Sequence, residues 1–311
     1  MIFSTTLAPR SSLVFRWLVF FVLLALLEAA GQGFTWLRSC LHDQGFGFFP
    51  ENMLIWLSSF VLFSGPLVVV EYFLPGTGTP KHYGLALLYW VIYMPFALAS
   101  SIATQWIVSR LAVTPLFDIR LHNLGLTGFP HFLANAFLLV FSMVLFDLFL
   151  YWFHRLQHTS KLMWRFHQVH HANRSLNAIG CYHHPLEDVW RIPLFLLPMT
   201  LAFRVDAPNI MFLSAFISCW AYWSHMDSQL HFGPLRCVFV DNRYHRLHHS
   251  LLTEHFNRNF ASYFAPWDRL FGTQCLPDPR NSAVQPPVGL DGVPTPANLM
   301  ELWNIPFRKN T

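Results

Sequence analysis

Residues 131–158 read HFLANAFLLVFSMVLFDLFLYWFHRLQH. The part up to Phe153 carries one charge, Asp147. It is long enough to cross a bilayer as a helix, which takes about 20 residues. Four of the last five residues are polar, and two of them are histidines. Asp147, Tyr151, His154 and His158 stand at i, i+4, i+7 and i+11, so a helix puts all four on one face. His154 and His158 can then grip one metal ion where the helix leaves the membrane. A lone carboxylate one to two turns deeper is costly unless it has a partner. Holding a ligand imidazole by its second nitrogen would give Asp147 one, and Tyr151 shares its face in a supporting position.

Working outward, three more apolar runs lie upstream, at about 13–30, 53–73 and 84–108. The first is read as an uncleaved anchor, because Arg10 alone precedes it and no clear small-residue cleavage site follows. Residues 190–203 and 209–224 are shorter runs joined by "RVDAPN", and they predict a helical hairpin that either spans or re-enters. The composition agrees with a membrane protein: 54% of residues are hydrophobic, 17% aromatic and only 12% charged. A soluble domain carries about twice that share of charge. Lys and Arg gather in 154–191 and in 225–311, which places both segments on the cytoplasmic side by the positive-inside rule, of a bacterial inner membrane or the endoplasmic reticulum. The expected fold is all-α: a polytopic membrane bundle of four spanning helices plus the hairpin, capped by a cytoplasmic histidine-rich helical layer. Residues 1–130 form the N-terminal membrane helices, 131–275 the catalytic domain and 276–311 a proline-rich tail, an extended wrap or a loose loop.

The cap is defined by a repeat. "RFHQVHHANR" (165–174) and "RYHRLHHSLL" (243–252) both contain His-x-x-His-His: His167, His170 and His171, then His245, His248 and His249. On a helix the i and i+3 or i+4 positions face one way, and the adjacent histidine points about 100° aside. The pattern can therefore serve two metals. With His154 and His158 the copies give eight imidazoles, too many for one ion and about right for two. His225, at the exit of the hairpin in "SHMDSQLHFGPL", is a further candidate. So is His184, beside His183 in "CYHHPLED". His231 and His255 are weaker, and His42, His82, His122 and His131 lie toward loops away from the clusters.

Other chemistries find little support. The five cysteines form no Cys-x-x-Cys and are odd in number, which indicates neither a disulfide framework nor a thiolate zinc site. The net charge of +4 comes without a basic block, so no nucleic-acid partner is expected. "PGTGTP" (75–80) lacks a phosphate-binding glycine pattern and reads as a loop. A metal transporter would place its ligands near the midplane of broken helices, whereas these histidines begin at helix exits. A non-redox zinc enzyme stays open at this point, since imidazole suits zinc as well.

The stretches "DLFLYWFHRLQH", "FHQVHH", "HHPLED", "SHMDSQLHFGPL", "YHRLHHS" and "NRNFASYFAPWDRLFGT" together resemble the fatty acid hydroxylase superfamily, the integral-membrane group that includes sterol desaturases and sphingolipid hydroxylases. The likeness runs over about 131–273, in consistent order. It implies two iron ions held by His154, His158, His167, His170, His171, His245, His248 and His249, with His225 as a ninth ligand. Zinc is the ion such a site can carry after purification. The implied activity is dioxygen-dependent hydroxylation, or alternatively desaturation, of a membrane lipid: an acyl chain, sphingoid base, sterol or amino-lipid. No haem or flavin motif is visible, so a separate electron donor of the cytochrome b5 or ferredoxin type is implied. The chain departs from the family pattern at Gln229, Asp241-Asn242 and Ala261.

Overall fold

The structure, a computed structural model, describes residues 48–77, 79, 81–111, 114–119, 125–205, 208–277 and 285–308. The apolar run 13–30 lies outside the described residues. The other three expected runs are helices: α1 (Phe48–Phe73), α2 (Tyr83–Leu111) and α3 (Gly128–Thr159). Two of them, α2 and α3, are long and apolar enough to cross a membrane, and the shorter apolar part of α1 is Phe60–Phe73. Leu87, Val91 and Phe96 on α2 and Phe129, Phe132, Phe137 and Val140 on α3 are exposed. Apolar faces this extensive suit lipid better than water. α3 runs on past the apolar stretch and carries His154 and His158 on its last turns. It stops at Ser160, whose N–H still bonds to the Leu156 carbonyl and whose hydroxyl accepts the Met163 N–H of the next helix, α4 (Lys161–His171).

The expected hairpin is more irregular than its sequence suggests. Its first arm is α5 (Asp188–Arg191), a π turn (Ile192–Leu196) and α6 (Leu197–Ala202). Pro193 lies within that turn and Pro198 just after it, and each removes an N–H from the ladder. A wider helical turn is a common way to absorb such a loss. The chain then enters β2 (Phe203–Val205), which pairs in parallel with β1 (Phe117–Ile119), Phe117 opposite Phe203 and Ile119 opposite Val205. This small sheet is an addition to the expected helical architecture. The protein is mostly helical, with a two-stranded clasp among the described residues. The second arm is α7 (Pro208–His225). Beyond it come α8 (Asn242–His248), α9 (Pro266–Leu270) and α10 (Leu299–Trp303).

The ends of α1, α3 and α7 and the start of α2 meet at one end of the bundle. Glu71, at the end of α1, accepts the N–H groups of Asp227 (2.6 Å) and Ala178 (3.1 Å). Trp90 of α2 donates to the Ile179 carbonyl at 2.9 Å. A core of Phe60, Leu67, Tyr89, Val169, Tyr182 and Tyr222 fills the space between these elements. The proline-rich tail closes over this end as a wrap. Leu251 donates to Pro287 O, Gly289 to His249 O, and Arg165 to Pro306 O. Gly289 has φ 122°, and a Cβ there would sit 2.6 Å from Arg174 Cγ, so glycine is needed where the tail crosses the first repeat.

Candidate metal centre

The nine histidines foremost in the sequence converge into two buried groups. His154, His158, His167, His171 and His248 form one; His170, His225, His245 and His249 form the other. Within each group the ligand atoms lie within 4.8 Å of one another. The partition explains the repeat. In the first copy, the i and i+4 histidines (167 and 171) join the five-membered group, and the i+3 histidine (170) crosses to the other. In the second copy, 245 and 249 join the four-membered group, and 248 crosses. Each helix gives two imidazoles to one group and one to the other, because i and i+4 differ by about 40° around a helix while i+3 lies about 100° from i+4. The His171 and His249 rings stack at 4.3 Å where the groups abut.

The α3 pair, His154 and His158, completes the larger group. His225 alone completes the smaller one. Gln229 stands four residues on, but α7 ends at His225 and Ser228 bridges to Pro75. Position 229 is therefore no longer on the helical face of His225.

The hydrogen bonds decide which nitrogen faces inward. Nδ1 of His154 faces Phe260 O (2.8 Å), that of His170 faces Tyr182 O (3.0 Å), that of His225 faces Ala221 O (2.7 Å), and that of His248 faces Arg258 O (2.8 Å). A carbonyl only accepts, so each of these Nδ1 atoms carries the proton. In the neutral ring Nε2 is then a bare lone pair. The rings are neutral for a further reason: burial, then the neighbouring histidines, hold His170, His171, His245 and His249 well below the ordinary imidazole range. Burial likewise pushes His248 down to about 3.

In the larger group all five Nε2 atoms are buried and without a hydrogen-bond partner. In the smaller one, His225 Nε2 lies 3.2 Å from His170 Nε2 and 3.1 Å from His245 Nε2, which lies 3.1 Å from His249 Nε2. The His170 and His225 Nε2 atoms thus face each other across the smaller group. Orphaned, inward-facing acceptors at this spacing fit a cation, since imidazole nitrogen binds a metal such as zinc at about 2.0–2.1 Å. The donor set of neutral imidazoles suits zinc, copper, iron or nickel.

Support comes from groups the sequence left unassigned. Glu187, buried, accepts from Gln157 Nε2 at 2.7 Å and faces His167 Nδ1 at 3.4 Å. The loop 257–264 supplies the Arg258 and Phe260 carbonyls, with Asn257 and Asn259 at positive φ (56° and 58°). Asp268 holds that loop from one side by accepting the N–H groups of Phe260 (2.7 Å) and Ala261 (3.0 Å). Asp147 holds it from the other, by accepting those of Ser262 (3.0 Å), Tyr263 (3.2 Å) and Phe264 (2.7 Å). The direct Asp147–imidazole bond expected from the helical face is therefore absent. The carboxylate acts on His154 through the loop backbone. Tyr151 bonds to Thr273 Oγ1 at 2.8 Å and receives Arg155, again supporting the same region rather than a histidine.

His184 is not brought to either group. Its Nδ1 accepts the Leu186 N–H at 3.1 Å and its Nε2 faces Trp303 O at 3.2 Å; it caps a turn and ties down the tail. His183, its neighbour, faces Glu187 at 3.3 Å and stacks on His170 at 4.5 Å. His231 and His255 make local contacts with Gly233 and Ser250. His82 and His131 lie outside both groups, and His42 and His122 fall outside the described residues.

Comparison with known proteins addresses the same segment. Residues 139–273 match the family model "Fatty acid hydroxylase". That match covers 135 of the 311 residues and takes in both histidine repeats. Among curated hydroxylases and their kin, it is 28% identical over 163 residues to the alkylglycerol monooxygenase of Danio rerio, covering 52% of this chain and 34% of that protein. It is 31% identical over 159 residues to the ornithine lipid hydroxylase OlsE of Rhizobium tropici, covering 50% and 46%. It is 28% identical over 147 residues to the cholesterol 25-hydroxylase of Homo sapiens, covering 46% and 53%. The chain thus spans about half or less of the length of these relatives. No solved structure matches.

Proposed function

We propose that this chain is a membrane-bound di-iron oxygenase that hydroxylates a lipid. The observation that carries the reading is the pair of converging imidazole groups, in which Nδ1 of His154, His167, His170, His225 and His248 is held from outside and Nε2 is turned inward. His154, His158, His167, His171 and His248 would hold one iron, and His170, His225, His245 and His249 the other. Bound there, iron supplies the oxidising power that an unactivated C–H bond demands, by using dioxygen. The protein's own part is orientation and exclusion. The Phe260, Arg258, Tyr182 and Ala221 carbonyls and Glu187 fix the ring directions. Burial removes water from the rings and disfavours protonation of His167, His170, His171, His245, His248 and His249.

Residues 131–275 are the catalytic portion in this reading, with the preceding helices as membrane anchor and the tail as a cover over the repeats. The exposed apolar faces of α2 and α3 support a substrate drawn from the bilayer. The names of the relatives span ether lipid, amino-lipid and sterol chemistry, which supports a lipid as substrate class and hydroxylation as the reaction. Lipid mass spectrometry of cells with and without the gene tests this. A lipid species gaining one oxygen only when the gene is present is the expected result. Loss of two hydrogens instead makes the enzyme a desaturase, and no lipid change at all removes the oxygenase reading.

A further inference from the structure

An oxygenase of this type must take in electrons through a protein shell that buries its metal ligands. Eight of the nine clustered histidines are buried, and His158 is partly buried. Its Nε2 is turned inward and buried. Trp164 lies against it. The indole is half-buried, with its ring centroid 4.9 Å from that of His158 and 5.3 Å from that of His171. One surface side chain therefore makes ring contact with two members of the five-histidine group, a path with no gap between solvent and the candidate ligands.

The surroundings are basic. No Asp or Glu occurs between Asp147 and Glu187, while Arg155, Lys161, Arg165 and Arg174 all fall in that interval. Lys161 stands three residues before Trp164, on the same face of α4, and is exposed, as are Arg165 and the apolar Leu156 and Leu162. The loop 250–260 adds Arg258 against Glu254. Apolar contact area with an excess of one sign of charge beside it is how a transient partner of the opposite sign is steered and seated.

We propose that the face formed by His158, Trp164 and Lys161 is where an acidic one-electron carrier protein docks and passes electrons to the five-histidine group. The proposal rests on the oxygenase reading above. Its balance is that of a monooxygenase. Two electrons from two carrier oxidations, two protons from water and one dioxygen convert a C–H bond to C–OH and release one water.

The test uses the iron-loaded full chain in nanodiscs, mixed anaerobically with a reduced cytochrome b5 domain or a reduced [2Fe–2S] ferredoxin, following carrier oxidation. Dithionite with a small mediator serves as the reductant that needs no docking. The wild type is expected to oxidise at least one of the two carriers, more slowly as salt rises. Trp164→Leu should slow that step by tenfold or more at unchanged iron content. Lys161→Glu should raise the carrier concentration giving half the maximal rate by about tenfold, and Arg110→Glu, at the other end of α2, should change nothing. All variants should be reduced alike by dithionite. Carrier kinetics unaltered in Trp164→Leu and Lys161→Glu overturn the proposal. So does failure of both carriers to reduce a wild-type centre that dithionite reduces. Iron that dithionite cannot reduce, or a preparation without iron, overturns the oxygenase reading itself and the docking face with it.

Discussion

The Nε2 atoms of His170 and His225 lie 3.2 Å apart, while Nδ1 of each ring faces a backbone carbonyl on the opposite side. Nitrogens turned toward each other at that distance are well placed to share a cation. Removing the metal should therefore destabilise the fold. Chelation is expected to lower the melting temperature in detergent, with recovery on adding Fe2+. His170→Ala or His225→Ala should lower bound metal from two equivalents toward one, because the five-histidine group keeps its own members. Elemental analysis of freshly purified protein reads this directly. Two equivalents retained in both variants would show that the smaller group holds no metal.

Asp147 offers a second test. Its carboxylate accepts three successive N–H groups of the loop that carries the Phe260 carbonyl behind His154. Asparagine has one oxygen to offer and turns an NH2 group against the same donors. At least one buried N–H loses its partner, at a cost of about 1–3 kcal/mol. The loosened loop should also cost about 10–100-fold in activity or metal affinity, the range found when groups behind metal ligands are removed. Asp147→Asn should still insert into membranes. A wild-type rate and melting temperature in this variant would show the loop to be held by other means.

These two cases mark how far the sequence could be read. The face shared by Asp147, Tyr151, His154 and His158 was legible because helical spacing is a local property. So was the use of both repeats, since i, i+4 and i+3 directions follow from the helix alone. What each side chain touches across the fold was not. Asp147 meets residues 115 to 117 positions downstream, and no spacing rule gives the path of that loop. His184 drew notice from its histidine neighbour and from the acids after it, yet a proline at 185 makes it a turn cap. Lys81, Glu71 and Asp227 drew none, because single charges near helix ends look like ordinary surface until the chain closes over them. The short β1–β2 clasp was hidden for the same reason: three residues a side, paired across a separation of 86 positions, leave no periodic trace.

Lys81 and Asp227 form an ion pair with side chains 11% and 0% exposed. Arg246, between the histidines of the second repeat, reaches the same carboxylate at 3.5 Å. The pair thus ties the α1–α2 loop to the chain just after His225 and to α8. Lys81→Met leaves a buried carboxylate short of its nearest cation and should destabilise by about 3–5 kcal/mol. Adding Asp227→Asn should recover part of that loss, since the two changes share one interaction. Thermal unfolding of the single and double variants gives the coupling. Additive effects would mean that the pair contributes no interaction of its own.

The last prediction concerns sidedness. The two repeats can share a centre only if Ser160, between α3 and α4, and Thr253, after α8, lie on one face of the membrane. The segment 154–191 carries Arg155, Lys161, Arg165, Arg174 and Arg191, and 225–311 carries eight more cations, so that face should be cytoplasmic by the positive-inside rule. Leu126, exposed ahead of α3, stands at the far end of a helix long enough to span and should report the opposite side. Single cysteines at Ser160→Cys, Thr253→Cys and Leu126→Cys, in a background lacking the native cysteines, can be labelled with an impermeant maleimide in oriented vesicles. The first two should react from the cytoplasmic side and the third from the other. Ser160→Cys and Thr253→Cys reacting from opposite faces would separate the repeats, and neither group of histidines could then assemble as described.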